Sequence, residues 1–459
     1  MSSLFATLDV AIGALGAEQG ALDTTSNNVA NVNTPGYSRE EPVLVENPPI
    51  VLGPLTFGSG VSLQKVQSVR DPILQLRIDG ETQQQGALNA FVTGMQQAQV
   101  QFNSTSGGDI GSEISNFFSS LGQLSTNPTS LSQRQAVLTA AGNLAQSFNN
   151  TADALIQQQT NVNLNVEQDV QQINTLTGQI AQLNSQISAL QNVGEDASSF
   201  VDQRDLAIGQ LSNLIDVSQI QTENGLTLTT SNGTPLVAGN QSFALSTQPN
   251  AAGMQQIYSQ QGVNITGTLT SGDLEGQLQV RDEAIPELLS NLDTLAAGLA
   301  TALNTTNQAG FDLNGNAGGN LFVPPPAGVT GAAAGMAVAI TDPSLIAASS
   351  DGSPGSNGNV NVLSAVQNQV IANGQNASDY YSNVVFNVGN EVSNSSAELS
   401  SAQLTLQQLQ NQRGSISGVS LDEEAANLIQ YQQAYEAAAR VVDTVSQMLD
   451  TVINMGATP

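Results

Sequence analysis

Two pairs of adjacent carboxylates, Glu40-Glu41 and Asp422-Glu423, are the first residues whose type and spacing could do chemistry. Glycoside hydrolysis uses such pairs, one acid protonating the leaving group while the other serves as base or nucleophile. The first pair lies in a Pro-flanked polar segment and the second at a helix start, and the chain has no Trp to form a sugar platform. The segment Asp312-Leu313-Asn314-Gly315-Asn316 puts oxygen ligands at positions 1, 3 and 5, as calcium loops do. Position 12 is Val323 where a bidentate Glu is needed, and Gly falls at position 4 instead of 6, so an Asn-Gly turn accounts for these residues. The Gly-rich piece from Gly53 to Gly60 lacks the strand-then-helix context of a dinucleotide fold. With no His and no Cys, imidazole bases, thiol nucleophiles, disulfides and thiolate zinc sites are excluded. The only Lys, Lys65, is outside any phosphate-loop context. The expectation is no enzyme: no catalytic, cofactor-binding or metal residues, and no cofactor.

Charge narrows the partners. The 459 residues carry 38 acidic and 9 basic side chains, a net charge of −29, and charged residues make up 10% of the chain. An average soluble domain has about 25%. Phosphate backbones and anionic bilayers both need clustered Lys and Arg, so nucleic acid and membrane surfaces are disfavoured. The opening MSSLFATLDVAIGALGAEQG has no basic stretch and is interrupted by Asp9 and Glu18, which argues against a secretory signal peptide. No run reaches the ~18 apolar residues of a transmembrane helix.

The elements at the two ends carry the strongest pattern. Phe5, Leu8, Ile12, Leu15, Leu22 and Val29 alternate steps of three and four, with Gln19 and Ser26 in the missing places. This is a heptad seam. Near the other end, Ser420-Leu421-Asp422-Glu423 reads as a capping box in which Glu423 returns to the Ser420 amide. Leu428, Tyr431, Tyr435, Ala438, Val442, Val445, Leu449 and Val452 then repeat the seam. Stripes this narrow cannot bury themselves, so residues from about 3 to 32 are expected to pair with those from about 420 to 455, to fray in a single chain and to order on assembly. The alternatives are an ordinary antiparallel packing within one domain and a stalk that also meets neighbouring subunits. Ala11, Gly13, Ala14, Gly16, Ala17, Ala425, Ala426, Ala437 and Ala439 would form outer faces that allow close approach. The candidate assembly interface is therefore Phe5, Leu8, Ile12, Leu15, Leu22, Val29, Leu421, Leu428, Tyr431, Tyr435, Val442, Val445, Leu449 and Val452.

Between the ends, Pro35-Gly36 marks a turn, and Pro42, Pro48, Pro49 and Pro54 keep residues 40 to 70 extended. Asp71-Pro72 starts a helix. After Asn127-Pro128 a long helix keeps the heptad step through Leu155, Val162, Val166, Ile173, Leu176, Ile180, Leu183, Ile187 and Leu190, interrupted by Gln159 and Asp169 and ended by Gly194. Phe200 to Leu214 is a further helix, whose Asp202-Gln203-Arg204-Asp205 reads as a solvated face. From Val217 to Leu269 the period falls to two between Gly- and Asn-rich turns, the pattern of a small antiparallel β domain. Leu274 to about Ala309 is helical with a kink or break at Pro286, residues 310 to 358 read as loop, and Val360 to Gln412 as one helical stretch. The fold class expected is mainly α with an inserted small antiparallel β domain, elongated and nested, with the terminal helices paired as a coiled coil. Its parts are a terminal coiled-coil domain (1–35 with 420–459), a helical-bundle domain (36–215 with 272–419) and the β domain (216–271).

The segment Ser26-Asn27-Asn28-Val29-Ala30-Asn31-Val32-Asn33-Thr34-Pro35-Gly36-Tyr37-Ser38-Arg39 is similar to the N-terminal signature of flagellar rod, hook and hook-associated proteins. Together with Asn127–Asn149, Asp202–Asp205, Gly272–Gly315 and Ser417–Glu424, it makes the chain resemble, nearly end to end, the flagellar hook-associated protein 1 family of hook–filament junction proteins. The resemblance implies a structural protein of the bacterial flagellum. It implies export without a cleaved signal peptide through the flagellar type III system and an extracellular place at the hook–filament junction. The implied partners are further copies in a ring or tube, the hook protein, the third hook-associated protein and an export chaperone. Many family members carry a further β domain after the position of Phe322, where this chain has only Pro324 to Ala339. The alternatives are a secreted adhesin or binding module, and a hook or distal-rod protein of the same superfamily.

Overall fold

The computed structural model describes residues 2–52, 55–102, 108–222 and 225–455; Gly53 and Pro54 of the Gly-rich piece lie outside the described residues. In chain order come α1 (Ser2–Ala30), four strands β1 (Glu40–Glu46), β2 (Ile50–Leu52), β3 (Leu55–Phe57) and β4 (Val61–Ser68), then α2 (Pro72–Phe102), α3 (Ile110–Thr126), α4 (Leu131–Val193) and α5 (Ser198–Leu214). Strands β5 (Ser218–Thr222), β6 (Gly225–Thr229), β7 (Pro235–Ala238), β8 (Gln241–Ser242), β9 (Ser246–Pro249) and β10 (Gln255–Tyr258) follow. The chain closes with α6 (Asp273–Gln279), α7 (Ile285–Gln308), α8 (Gly358–Ala365), α9 (Ala377–Ser417) and α10 (Leu421–Met455). The protein is mainly helical with small antiparallel sheets, as expected. No described helix is long and apolar enough to cross a membrane.

The chain divides into two compact units. The first comprises residues 1–83, 172–245 and 403–459. Here α1 packs against α10 and also against the β1–β4 hairpin, which pairs from Glu40 with Ser68 to Glu46 with Val61. Both terminal helices are continuous, α1 over Ser2–Ala30 and α10 over Leu421–Met455. The hairpin is a further partner for α1. It seats against a small-residue face of α1: an added Cβ on Gly20 would stand 2.4 Å from Leu63 Cδ2, and one on Gly13 3.3 Å from the Val61 carbonyl. Ala11, Ala17 and Ala21 are buried. Part of the small face expected to look outward, Ala11, Gly13 and Ala17, is thus used within the chain.

Strands β5 to β8 form a meander in chain order. Leu226 and Leu228 are buried in alternation, as period two requires, whereas β7 buries the consecutive Leu236 and Val237. Asn174 and Asn184 of α4 fasten it. Asn174 exchanges two hydrogen bonds of 2.8 Å with the Leu245 backbone, and the Asn184 amide donates to the carbonyls of Leu226 (3.1 Å) and Gly239 (2.8 Å).

The second unit comprises residues 84–171 and 246–402, and its core is one hydrophobic cluster contributed by α2, α3, α4, α7 and α9. Hairpin β9–β10 docks through Asn163, whose side-chain Oδ1 accepts from the Gln255 backbone amide at 2.7 Å. The polar interruptions in the α4 heptads have the same use: Gln159 donates to the Arg281 carbonyl at 2.7 Å, and Asp169 accepts from Gln277 at 2.7 Å.

Three expectations need correction in this unit. The break near Pro286 is a π-turn, Val280–Ala284, with Pro286 in the first turn of α7. The wide turn hides the Arg281 side chain, which donates to Asn163 at 2.9 Å and to the Gln255 carbonyl at 2.8 Å. Residues 310–358 are irregular but not a surface loop: Leu321, Phe322, Ala333, Ile346, Ala347 and Ala348 are fully buried. Polar side chains replace the missing ladders, with Asn304 bonding Leu321 and Phe322, and Arg134 donating to the Ile346 carbonyl at 2.6 Å. Finally, 360–412 is not one helix. Asn373 (φ 46°) and Gly374 (φ 78°) form a left-handed turn between α8 and α9, which Asn-Gly supports and a helix does not.

In the Asp312 loop, the Asp312 carboxylate accepts the amides of Asn314 and Asn316, both at 2.8 Å, and Gly315 has φ 79°. Its oxygens hold an Asx-type turn.

Candidate assembly interface

The end of α1 and the residues after it lock the terminal helices together. Asn28 is 1% exposed, and its side chain uses its full hydrogen-bonding capacity. The amide donates to the Glu40 carbonyl (2.8 Å) and to Glu424 Oε1 (3.1 Å). Its oxygen accepts the Tyr37 hydroxyl (2.8 Å) and the Glu40 amide (2.9 Å). One side chain therefore joins α1, the turn, β1 and the first turn of α10.

Beside it, Asp202 accepts from the Ser38 amide (3.0 Å) and hydroxyl (2.8 Å) and pairs with Arg70 (2.9 Å). Asp202 is buried, so Asp202-Gln203-Arg204-Asp205 is not the solvated face its alternating charge implied. Arg204 pairs with Asp205 and donates to Asn184, and Arg413 donates to the Gly36 carbonyl at 2.9 Å. Arg39 pairs with Glu41 and with Glu423, each at 3.1 Å. Half of the expected capping box is made, Ser420 Oγ accepting the Glu423 amide at 3.5 Å, but the Glu423 carboxylate turns to Arg39 rather than back to Ser420.

Glu40, Glu41 and Glu423 of the two carboxylate pairs are thereby explained as anchors. Burial pushes the carboxyls of Glu40, Glu424 and Asp202 above the usual carboxylate range, and Asn27, Asn28 and the Arg70–Ser38 pair respectively oppose it. The Tyr37 hydroxyl is raised as well, first by burial and then by Glu40.

The apolar faces are a different matter. Among the seam residues only Val445 is buried within the chain. Leu8, Leu15, Leu22, Leu428, Tyr431, Val442 and Leu449 are half-buried. Phe5, Ile12, Val29, Leu421, Tyr435 and Val452 are exposed, Ile12 at 53%. Sequence reasoning missed a second stripe on α10. Val441, Met448 and Ile453 are exposed beside the seam, and so is Ile429. Val441, Val445, Met448 and Val452 keep the three-four step, so a second reading frame of the same helix carried the signal.

Comparison with known proteins identifies what carries this arrangement. Residues 95–322 match the family described as the flagellar hook-associated protein FlgK helical domain, residues 411–455 the flagellar basal body rod FlgEFG protein C-terminal family, and residues 8–37 the flagella basal body rod protein family. Flagellar hook-associated protein 1 of Bacillus subtilis is 29% identical over 503 aligned positions, covering 99% of both chains. The protein of the same name from Escherichia coli is 27% identical over 551 positions, covering 99% of this chain and 100% of its own. That alignment exceeds the 459 residues present here, so the relative carries segments this chain lacks. A solved structure, the flagellar hook junction protein FlgK from Burkholderia pseudomallei, superposes with a TM-score of 0.68 at 19% identity over 74% of this chain and 100% of its own, which shows the shared fold. With the hook-associated helical domain flanked by rod-type ends, and full-length relatives of one name, the chain belongs to the flagellar hook-associated protein 1 family, structural components of the bacterial flagellum.

Proposed function

We propose that this protein sits outside the cell at the hook–filament junction and polymerises there through its terminal helices into a ring or tube. It reaches that place through the flagellar type III export system, held beforehand by an export chaperone. Its neighbours are the hook protein on one side and the third hook-associated protein on the other. The observation that carries this reading is the unpartnered apolar surface of α1 and α10, where Phe5, Ile12, Ile429, Met448 and Ile453 stand exposed. Contiguous apolar surface of this kind marks an interaction site. Burying each half-exposed side chain against another copy is worth about 1 kcal/mol, enough in sum to hold copies together. The fourteen seam residues named from the sequence are proposed as the contact set, with the terminal coiled-coil layer (1–35 with 420–459) innermost, the bundle around it and the β domain (216–271) outermost. The chain serves as a mechanical joint rather than an enzyme.

The test is Ile12→Glu and Met448→Glu in the full chain. Both positions are exposed, so folding stability should change by only about 0.5 kcal/mol. Neither variant should be incorporated at the hook tip, because each buries an unpaired charge on assembly. Normal incorporation of both would overturn the reading.

A further inference from the structure

An acid-rimmed groove in the second unit is unexplained by the terminal helices. It has a volume of about 280 Å³, with a floor of Phe91, Met95 and Val388 and a rim of Glu283, Glu287 and Glu391. All three glutamates are exposed. Glu283 stands on the π-turn that hides Arg281, so the same irregularity turns one charge inward and the other out. The carboxyl of Glu275 is raised by burial and then by the negative charge of Glu283. The groove therefore suits a cation carried beside apolar side chains.

Such a ligand exists on the chain itself. Among the described residues, Arg39, Arg70, Arg134, Arg204, Arg281 and Arg413 are engaged within their own chain. Lys65, Arg77 and Arg440 are exposed. Arg440 has two acidic neighbours on its own helix, Glu436 and Asp443 at four and three residues, where Arg77 has one, Glu81 at four, and Lys65 lies on the β1–β4 hairpin between Gln64 and Val66. Arg77 has two large exposed apolar neighbours within a turn of its helix, Ile73 four residues before and Leu76 one before, where Arg440 has only Val441. Ile73, at 72%, is the most exposed large apolar side chain among the described residues.

We infer that the Ile73–Leu76–Arg77 face of one copy docks into the Glu283–Glu287–Glu391 groove of a second copy. The contact is heterologous: two different surfaces meet, which generates rings or tubes rather than a closed pair. It rests on the proposed self-assembly and adds a contact outside the terminal helices. Arg77 fixes orientation against the three carboxylates, while Ile73 and Leu76 supply the buried area.

The chain has no Cys, so introduced thiols report contacts cleanly. Full-length Arg77→Cys and Glu287→Cys chains, made separately, are mixed and concentrated until wild type sediments as an oligomer, then mildly oxidised. The mixed disulfide should exceed that of an Arg440→Cys plus Glu287→Cys control by roughly tenfold or more, because docking raises the local thiol concentration. In parallel, Arg77→Glu should weaken association roughly tenfold, and Glu287→Arg in the same chain should restore part of it. Oligomers that form without the excess disulfide, or an Arg77→Glu chain that associates like wild type, would overturn this docking and leave the terminal-helix contacts standing. A wild type that stays monomeric at every concentration would overturn the self-assembly reading together with it.

Discussion

Replacing Asn28 by Ala removes four hydrogen bonds at once, and the structure states what each loss leaves behind. The Glu40 amide and carbonyl are left unpaired in a buried site, the Tyr37 hydroxyl loses its acceptor, and Glu424 loses the donor that opposes its burial. Three neutral bonds at about 1 kcal/mol each, and one to a carboxylate at about 1.5 kcal/mol, give an expected loss of about 4.5 kcal/mol. Urea unfolding followed by circular dichroism at pH 7 measures it. The control is Asn31→Ala, a half-buried residue of the same signature whose side-chain bonds reach only Asn27 and Thr34 nearby, and it should cost about 1 kcal/mol, well below the Asn28 loss. Asn28→Asp should be worse than Ala at pH 7, since its second oxygen meets the Glu40 carbonyl and the Glu424 carboxylate. It should recover on acidification as that oxygen takes a proton. An Asn28→Ala loss below about 1 kcal/mol, or an Asp variant indifferent to pH, would refute the claim that this residue holds the terminal helices in register.

Further expectations concern the two units separately. Burial raises the Asp79 carboxyl from 3.8 to about 6, against hydrogen bonds from Gln75 and Gln219. Because the folded value lies above the unfolded one, its stabilising contribution is complete below about pH 4 and is lost as pH rises through 6, up to about 3 kcal/mol in all. Asp79→Asn should lack that component, so the stability difference between variant and wild type should shift in the variant's favour from pH 4 to pH 7; a constant difference would contradict the argument. In the second unit, a Cβ on Gly276 would stand 2.1 Å from the Ala87 carbonyl oxygen, a backbone atom with no rotamer to escape by. Gly276→Ala should therefore cost about 3 kcal/mol in thermal or chemical unfolding despite its better helix propensity, and a stabilised variant would show that α2 and α6 separate freely.

Much of this protein is written in local pattern. The period of three and four marks α1, α4 and α10 because a helix presents one stripe per turn to its partner, and those stripes need no tertiary knowledge to be seen. Gly194 ends α4 with φ 77°, and Asp71-Pro72 starts α2, for equally local reasons. Missing His and Cys, and scarce Lys and Arg, settle which chemistries have no atoms to perform them. The motif from Ser26 to Arg39 was visible as a signature, but its purpose was not. Asn28, Ser38 and Asp202 act on groups up to 396 residues away in the chain, as Asn28 does on Glu424. Hydrogen-bond partners at such separation leave no periodic trace.

The same limit hid the docking asparagines of α4, Asn163, Asn174 and Asn184, which lie outside the heptad positions and gain a purpose only when strands arrive to use them. It hid the buried course of residues 310–358 too, where side chains of Asn304 and Arg134 replace backbone ladders. Composition and spacing thus determined the helices with the strongest stripes, α1, α4 and α10, while the turn between α8 and α9 and the π-turn before α7 emerged only in the structure. Tertiary structure alone decided which face of α1 turns to the hairpin and which stays bare. That choice depends on how closely two backbones can approach at Gly13 and Gly20, a matter of ångströms between segments distant in sequence.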